Sequence, residues 1–115
     1  MKHFELFKNL EHMKNNFIIY VYKDIINRTA YVGLTNNLKQ RHSGHKRKGT
    51  VYNYFNNINI NIPNPEIIFD NLSLEEASQK ETEVYYIFKN DNWIMLNNVY
   101  NLGMVGTYHK KFWNK

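Results

Sequence analysis

The stretch Phe17-Ile18-Ile19-Tyr20-Val21-Tyr22, then Asp24 to Arg28, then Thr29-Ala30-Tyr31-Val32-Gly33-Leu34, decides the architecture of this chain. Both apolar runs are short and rich in branched and aromatic side chains, which suit a pleated, half-buried surface, and the residues between them supply turn chemistry. The pattern predicts a β-hairpin. Thr35 and Asn36 then offer N-cap oxygens for a helix over residues 37–48, with Gly49 as its stop. Val51, Tyr54, Phe55 and Ile58 recur at helical spacing and predict a second short helix, which Pro63 and Pro65 prevent from continuing. Further on, Glu66-Ile67-Ile68-Phe69-Asp70 reads as a strand. Ser73 and Glu76 form a capping box that opens a helix reaching Lys89, and Trp93 to Leu96 is a brief apolar segment. Upstream, Phe4, Phe7 and Leu10 lie at helical spacing. The expected fold is α+β: about three mainly antiparallel strands flanked by helices over residues 17–98, after a helical lead-in at 1–16. Residues 99–115 read as a basic tail.

Composition narrows the function. A chain of 115 residues is long enough for one modest core and too short for two. It has no cysteine, which excludes a disulfide scaffold, a thiol nucleophile and the usual structural zinc sites, and agrees with a reducing cytoplasm. Met1 to Asn16 mixes charged and apolar residues unlike a signal peptide, and no run approaches transmembrane length. A soluble, membrane-free monomer is the expectation. The net charge is +5, with His42, His45, Lys46, Arg47 and Lys48 clustered and the acids gathered between Asp70 and Asp91, so one face is suited to phosphate. Lys46, Arg47 and Lys48 are the expected DNA-contacting cations.

The residues that carry chemistry fall on the hairpin and the helices after it. Alternation along strands lets Tyr20 and Tyr31 reach one side of the hairpin, and Leu38, Arg41 and His45 share a face of the next helix. On the long helix Glu81 lies with Leu74, Ala77, Val84, Tyr85 and Phe88 on the face that must pack inward, whereas Glu83 lies with Gln79 and Lys80. An inward carboxylate needs a cation or metal ion as partner, so Glu81 is the expected metal ligand and Glu83 the fallback. Singly, each residue has a plain structural reading: strand tyrosines pack, a helical arginine is solvated, and a basic run is a charged surface. The pair His42 and His45 at i, i+3 without a further ligand does not make a transition-metal site. The ordered conjunction outweighs these readings.

Ile19-Tyr20, ten residues, Tyr31-Val32-Gly33, then Arg41 and His45 on the following helix, resembles the GIY-YIG nuclease family in order and spacing. The resemblance extends through Leu72-Ser73-Leu74-Glu75-Glu76-Ala77 to Glu81 and the late Leu96-Asn97, covering residues 17–98. Ile18 stands in place of the family's first glycine, a backbone element without a catalytic atom. The resemblance implies hydrolysis of DNA phosphodiester bonds by a phage- or homing-type endonuclease, with restriction and repair roles also open. It implies one divalent ion, Mg²⁺ or alternatively Mn²⁺, held by Glu81. Tyr20 would activate water, Tyr31 would orient phosphate or water, Arg41 would bind the scissile phosphate, and His45 would tune or relay the proton. Asn97 would hydrogen-bond within the site, and Gly33 would allow close backbone approach. The competing reading is an inactive GIY-YIG fold that only docks on nucleic acid, distinguished by salt-dependent DNA binding without cleavage. A phosphate-binding or structural protein with no nucleic-acid role would show neither.

Overall fold

A computed structural model describes residues 15–97. The expected lead-in helix and basic tail lie outside them. In chain order the elements are β1 (Phe17–Asp24), β2 (Thr29–Thr35), α1 (Leu38–His45), α2 (Thr50–Asn57), β3 (Glu66–Leu72), α3 (Leu74–Asn90) and β4 (Ile94–Met95). The strands form one sheet in the order β3-β1-β2-β4. No described helix is long and apolar enough to cross a membrane.

The hairpin forms as its sequence predicts. β1 and β2 pair antiparallel with Tyr20 opposite Gly33 and Tyr22 opposite Tyr31, joined by the turn Ile25–Arg28, which Arg28 N–H closes onto the Ile25 carbonyl at 3.2 Å. Asp24 holds the turn from the strand end: its carboxylate accepts from Asn27 Nδ2 at 2.7 Å and from the Tyr54 hydroxyl of α2 at 2.6 Å. These hydrogen bonds keep the Asp24 carboxyl below the usual carboxylate range, the Tyr54 contact contributing most.

Alternation along β1 and β2 divides the core between the two faces of the sheet. Ile19, Val21, Ala30, Val32 and Leu34 pack with Ala77 and Val84 of α3, supported by Phe88, Trp93 and Met95. Tyr20 and Tyr22 point the other way and pack with Val51 and Phe55 of α2. The capping box opens α3 as expected, Ser73 N–H donating to Glu76 Oε1 at 2.9 Å and Glu76 N–H to Ser73 Oγ at 3.1 Å.

The structure corrects the sequence reading at three points. The sheet has four strands and is mixed, because Ile94–Met95 adds to β2 in parallel after α3 returns the chain across the sheet. Two residues carry too little periodicity to announce a strand. The cap of α1 is Asn37, whose Oδ1 accepts from Gln40 N–H at 3.1 Å, while Thr35 Oγ1 accepts from Asn37 N–H at 3.0 Å and so supports the cap from outside. Finally, α1 ends at His45, and Gly49 (φ 104°) is the N-cap of α2 and not the terminator of α1. A left-handed backbone angle of this kind suits glycine.

β3 is an edge strand with two register shifts against β1, on either side of the Ile19–Phe69 pair, and Asn71 there adopts φ 57°. Such bulges bend a strand and re-aim its side chains. Here they lie beside Tyr20.

Gly33 has a steric reason to be glycine. A Cβ there would overlap the Cζ and hydroxyl of Tyr20, whose ring lies across the Gly33 backbone and is wholly buried. Gly33→Ala should lower stability in urea denaturation by about 3 kcal/mol, because backbone and packed phenol cannot both yield. In a Tyr20→Ala background the same substitution should cost less than about 1 kcal/mol, since sites in direct contact are non-additive.

Candidate active site

Helix α1 buries none of its residues, so an apolar stripe does not hold it to the sheet. Two tyrosine–histidine hydrogen bonds connect it instead. The Tyr20 hydroxyl lies 2.8 Å from His45 Nε2, and the Tyr22 hydroxyl lies 2.6 Å from His42 Nδ1. Residues two apart on a strand are separated by about 6.6 Å and residues three apart on a helix by about 4.5 Å of rise, so the two pairs match in antiparallel order. The imidazole of His45 is also met by the edges of Tyr22 and Tyr31, each with ring centroids 5.2 Å away.

This crowding sets the protonation states. Burial, then Arg41 and His42, lowers His45 to about 4, so its imidazole is neutral at neutral pH. Burial also pushes the Tyr20 phenol far above its ordinary value, with Arg41 the opposing influence. The proton therefore belongs to the phenol. In the tautomer with Nδ1 protonated, the Tyr20 hydroxyl donates to Nε2. Tyr31, half-buried, is raised by burial and by the charge of Glu81, and lowered by Arg41.

Glu81 lies on the packed face of α3 with 2% of its surface exposed, and its Oε1 is a buried polar atom with no hydrogen-bond partner among the described residues. Burial raises its carboxyl to about 8, partly opposed by Arg41. Glu83, the fallback ligand, is exposed and pairs with Lys80 at 3.2 Å, an ordinary surface contact. An orphaned, desolvated carboxylate suits a divalent cation. No group of three or more His, Cys, Asp or Glu is arranged for metal binding among the described residues. Glu81 alone, with water and phosphate completing the shell, fits Mg²⁺, which sheds its waters reluctantly and commonly takes one or two protein carboxylates.

Arg41 is exposed, and its charge acts on Tyr20, Tyr31, His45 and Glu81 together. It lines an open groove of about 360 Å³ with Asn36, Asn37, Gln40 and Gly44, where a cation is accessible to phosphate. Lys46, Arg47 and Lys48 follow α1 on the surface, with no acidic partner within 4.0 Å among the described residues.

Asn97 is placed differently from the other expected site residues. Its Oδ1 accepts from Val32 N–H at 2.9 Å and its Nδ2 donates to the Val32 carbonyl at 2.6 Å, so the side-chain amide continues the pairing of β4 against β2. Val32 separates Tyr31 from Gly33. Asn97 therefore fixes the backbone between Tyr31 and Gly33.

The sequence reading passed over the Tyr22–His42 pair. By sequence His42 belongs to the basic cluster and to a histidine pair too sparse for a transition-metal site, and Tyr22 belongs to a strand; neither role points to the other residue. The available signal was the match of tyrosines at i, i+2 on one strand with histidines at i, i+3 on the next helix.

A raised acid destabilises the native state as it ionises. Below the unfolded value of about 4.5 Glu81 is neutral in both states; between there and about 8 the unfolded chain loses the proton first, and stability falls. Glu81→Gln should thus be about 1–3 kcal/mol more stable than wild type at pH 8, with the difference vanishing near pH 4. Millimolar Mg²⁺ should raise the melting temperature of wild type and leave Glu81→Gln unchanged in a thermal-shift experiment.

Compared with known proteins, the chain matches no protein-family model, no curated protein and no solved structure.

Proposed function

We propose that this chain is a divalent-metal-dependent endonuclease that hydrolyses DNA phosphodiester bonds, of the GIY-YIG type and nearest in pattern to phage or homing enzymes. The observation that carries the reading is the conjunction of the Tyr20–His45 hydrogen bond with the orphaned carboxylate of Glu81 and the guanidinium of Arg41 within electrostatic reach of both.

Phosphodiester hydrolysis needs a base for water and positive charge on the phosphoryl oxygens. The Tyr20 hydroxyl is buried against His45, so this step requires the ring to open to solvent when phosphate binds beside Arg41; water admitted there gives its proton to the phenol oxygen as the phenol passes its own to His45 Nε2. This transfer avoids a free phenolate, which the raised Tyr20 makes costly; His45 is neutral and able to accept, and because burial and Arg41 disfavour its protonated form, negative charge brought by the phosphate is needed to stabilise the imidazolium. Arg41 binds the non-bridging oxygens, where its fork of N–H donors matches the geometry of phosphate. Tyr31 orients a phosphate oxygen or the water. A divalent ion held by Glu81 would supply Lewis-acid stabilisation of the departing oxygen. The net charge of +5 favours a polyanionic substrate, and an isolated unit of this size should bind DNA through phosphates with little sequence preference.

Supercoiled plasmid at low salt should be nicked with Mg²⁺ and left intact with EDTA. Tyr20→Phe, Arg41→Ala and Glu81→Gln should each lose about 100-fold or more in rate, and Glu83→Gln should cut as wild type does. With limiting Mg²⁺ the rate should rise with pH up to about 8, as the Glu81 carboxyl loses its proton and becomes able to hold the ion. Intact, salt-sensitive DNA binding without cleavage under these conditions would favour a docking module instead.

A further inference from the structure

Arg41 and His45 on α1, and His42 with the C-cap residue Lys46, whose N–H donates to the His42 carbonyl at 3.0 Å, are each four residues apart, so they form two neighbouring stripes. The first faces the phenols. The second carries a histidine that the proposed reaction does not use.

Tyr22 is 1% exposed, its hydroxyl is 2.6 Å from His42 Nδ1, and the imidazole stacks on its ring with centroids 5.7 Å apart. A buried hydroxyl needs an acceptor, and Nδ1 is the one at hand. Burial and the nearby Lys46 charge hold His42 below its ordinary value, which leaves the ring neutral at pH 7. With Nδ1 accepting, the ring proton sits on Nε2. The half-exposed His42 thus keeps an N–H donor of fixed tautomer, one helical turn before a lysine with no acidic partner within 4.0 Å among the described residues. A directed donor beside a free cation matches the two non-bridging oxygens of a phosphodiester. Behind Lys46 opens a groove of about 350 Å³, where Tyr52 offers a ring for stacking and Asn56 and Asn61 offer amide edges.

We propose that His42, oriented by Tyr22, and Lys46 bind a DNA phosphate neighbouring the one held by Arg41, with the adjoining nucleotide lying along the Tyr52–Asn56–Asn61 groove. The proposal rests on the nuclease reading for its substrate. It assigns His42 a binding role and Tyr22 a positioning role, and it gives the strand a direction across α1, from the Arg41 groove toward Lys46.

The test is fluorescence polarisation of a short labelled DNA oligonucleotide in EDTA, as a function of NaCl, beside Mg²⁺-dependent cleavage kinetics of the same oligonucleotide. His42→Ala with Lys46→Ala should weaken binding about 10-fold and reduce the salt slope by about 1, and KM should rise by more than kcat falls. Because His42→Ala alone orphans the Tyr22 hydroxyl, Tyr22→Phe/His42→Ala removes both partners and controls for folding, read by its melting curve. Tyr22→Phe alone should turn the single His42 tautomer into a mixture in ¹⁵N spectra and raise KM in the same direction. Unchanged affinity and salt slope in the His42→Ala/Lys46→Ala protein, or a loss confined to kcat, would overturn the proposal. Should wild type fail to cleave while that variant still loses affinity, the nuclease reading falls and the phosphate site stands.

Discussion

The contact between Tyr20 and Gly33 is the constraint on which the rest of the structure depends. The phenol lies in space that any side chain at residue 33 would occupy, and its hydroxyl reaches His45 from there. Were the ring lifted by one methyl group, its hydroxyl would be displaced from His45 and α1 would lose one of its hydrogen-bonded anchors. Because α1 buries no residue, its position over the sheet is set by the Tyr20–His45 and Tyr22–His42 hydrogen bonds and by the partial burial of Leu38. The groups proposed to move protons are thus also the groups that dock the helix. A buried polar network of this kind is rigid only while every member is satisfied.

Glu81 shows the opposite relation between stability and function. Its neighbours on α3, Ala77, Val84 and Tyr85, pack as a core should, yet a carboxyl oxygen with no hydrogen-bond partner among the described residues is buried beside them. Packing alone gives no reason for a carboxylate there, since an apolar or amide side chain would avoid the desolvation. Among the described residues this oxygen is the buried side-chain polar atom left without a partner, and such departures from local rules of folding are commonly found at functional sites.

The far edge of the sheet serves the same centre from outside it. Asn97 bonds both the N–H and the carbonyl of Val32, extending the two-residue β4 by a side chain. Arg28 joins this edge from the hairpin turn, pairing with Asp91 at 3.1 Å and lying over the Trp93 ring at 4.8 Å. On the near edge, the bulged β3 bends beside Tyr20. The tyrosine-bearing strands are held from both sides.

What the sequence by itself determined was local. The hairpin follows from two β-prone runs around a turn, the start of α3 from Ser73 and Glu76 three residues apart, and the inward placement of Glu81 and outward placement of Glu83 beside Lys80 from a helical period. In each case the interacting residues lie within a few positions, where spacing fixes geometry. Tertiary structure alone decided the pairing of Tyr22 with His42, the Asn97 clamp on Val32, the fourth strand, and the shared reach of Arg41 to two phenols, a histidine and a carboxylate. Those partners are 20 residues apart for Tyr22 and His42 and 65 for Val32 and Asn97. Their meeting depends on strand register, the bulges in β3 and the path of α3 across the sheet, and no local period in the chain encodes these.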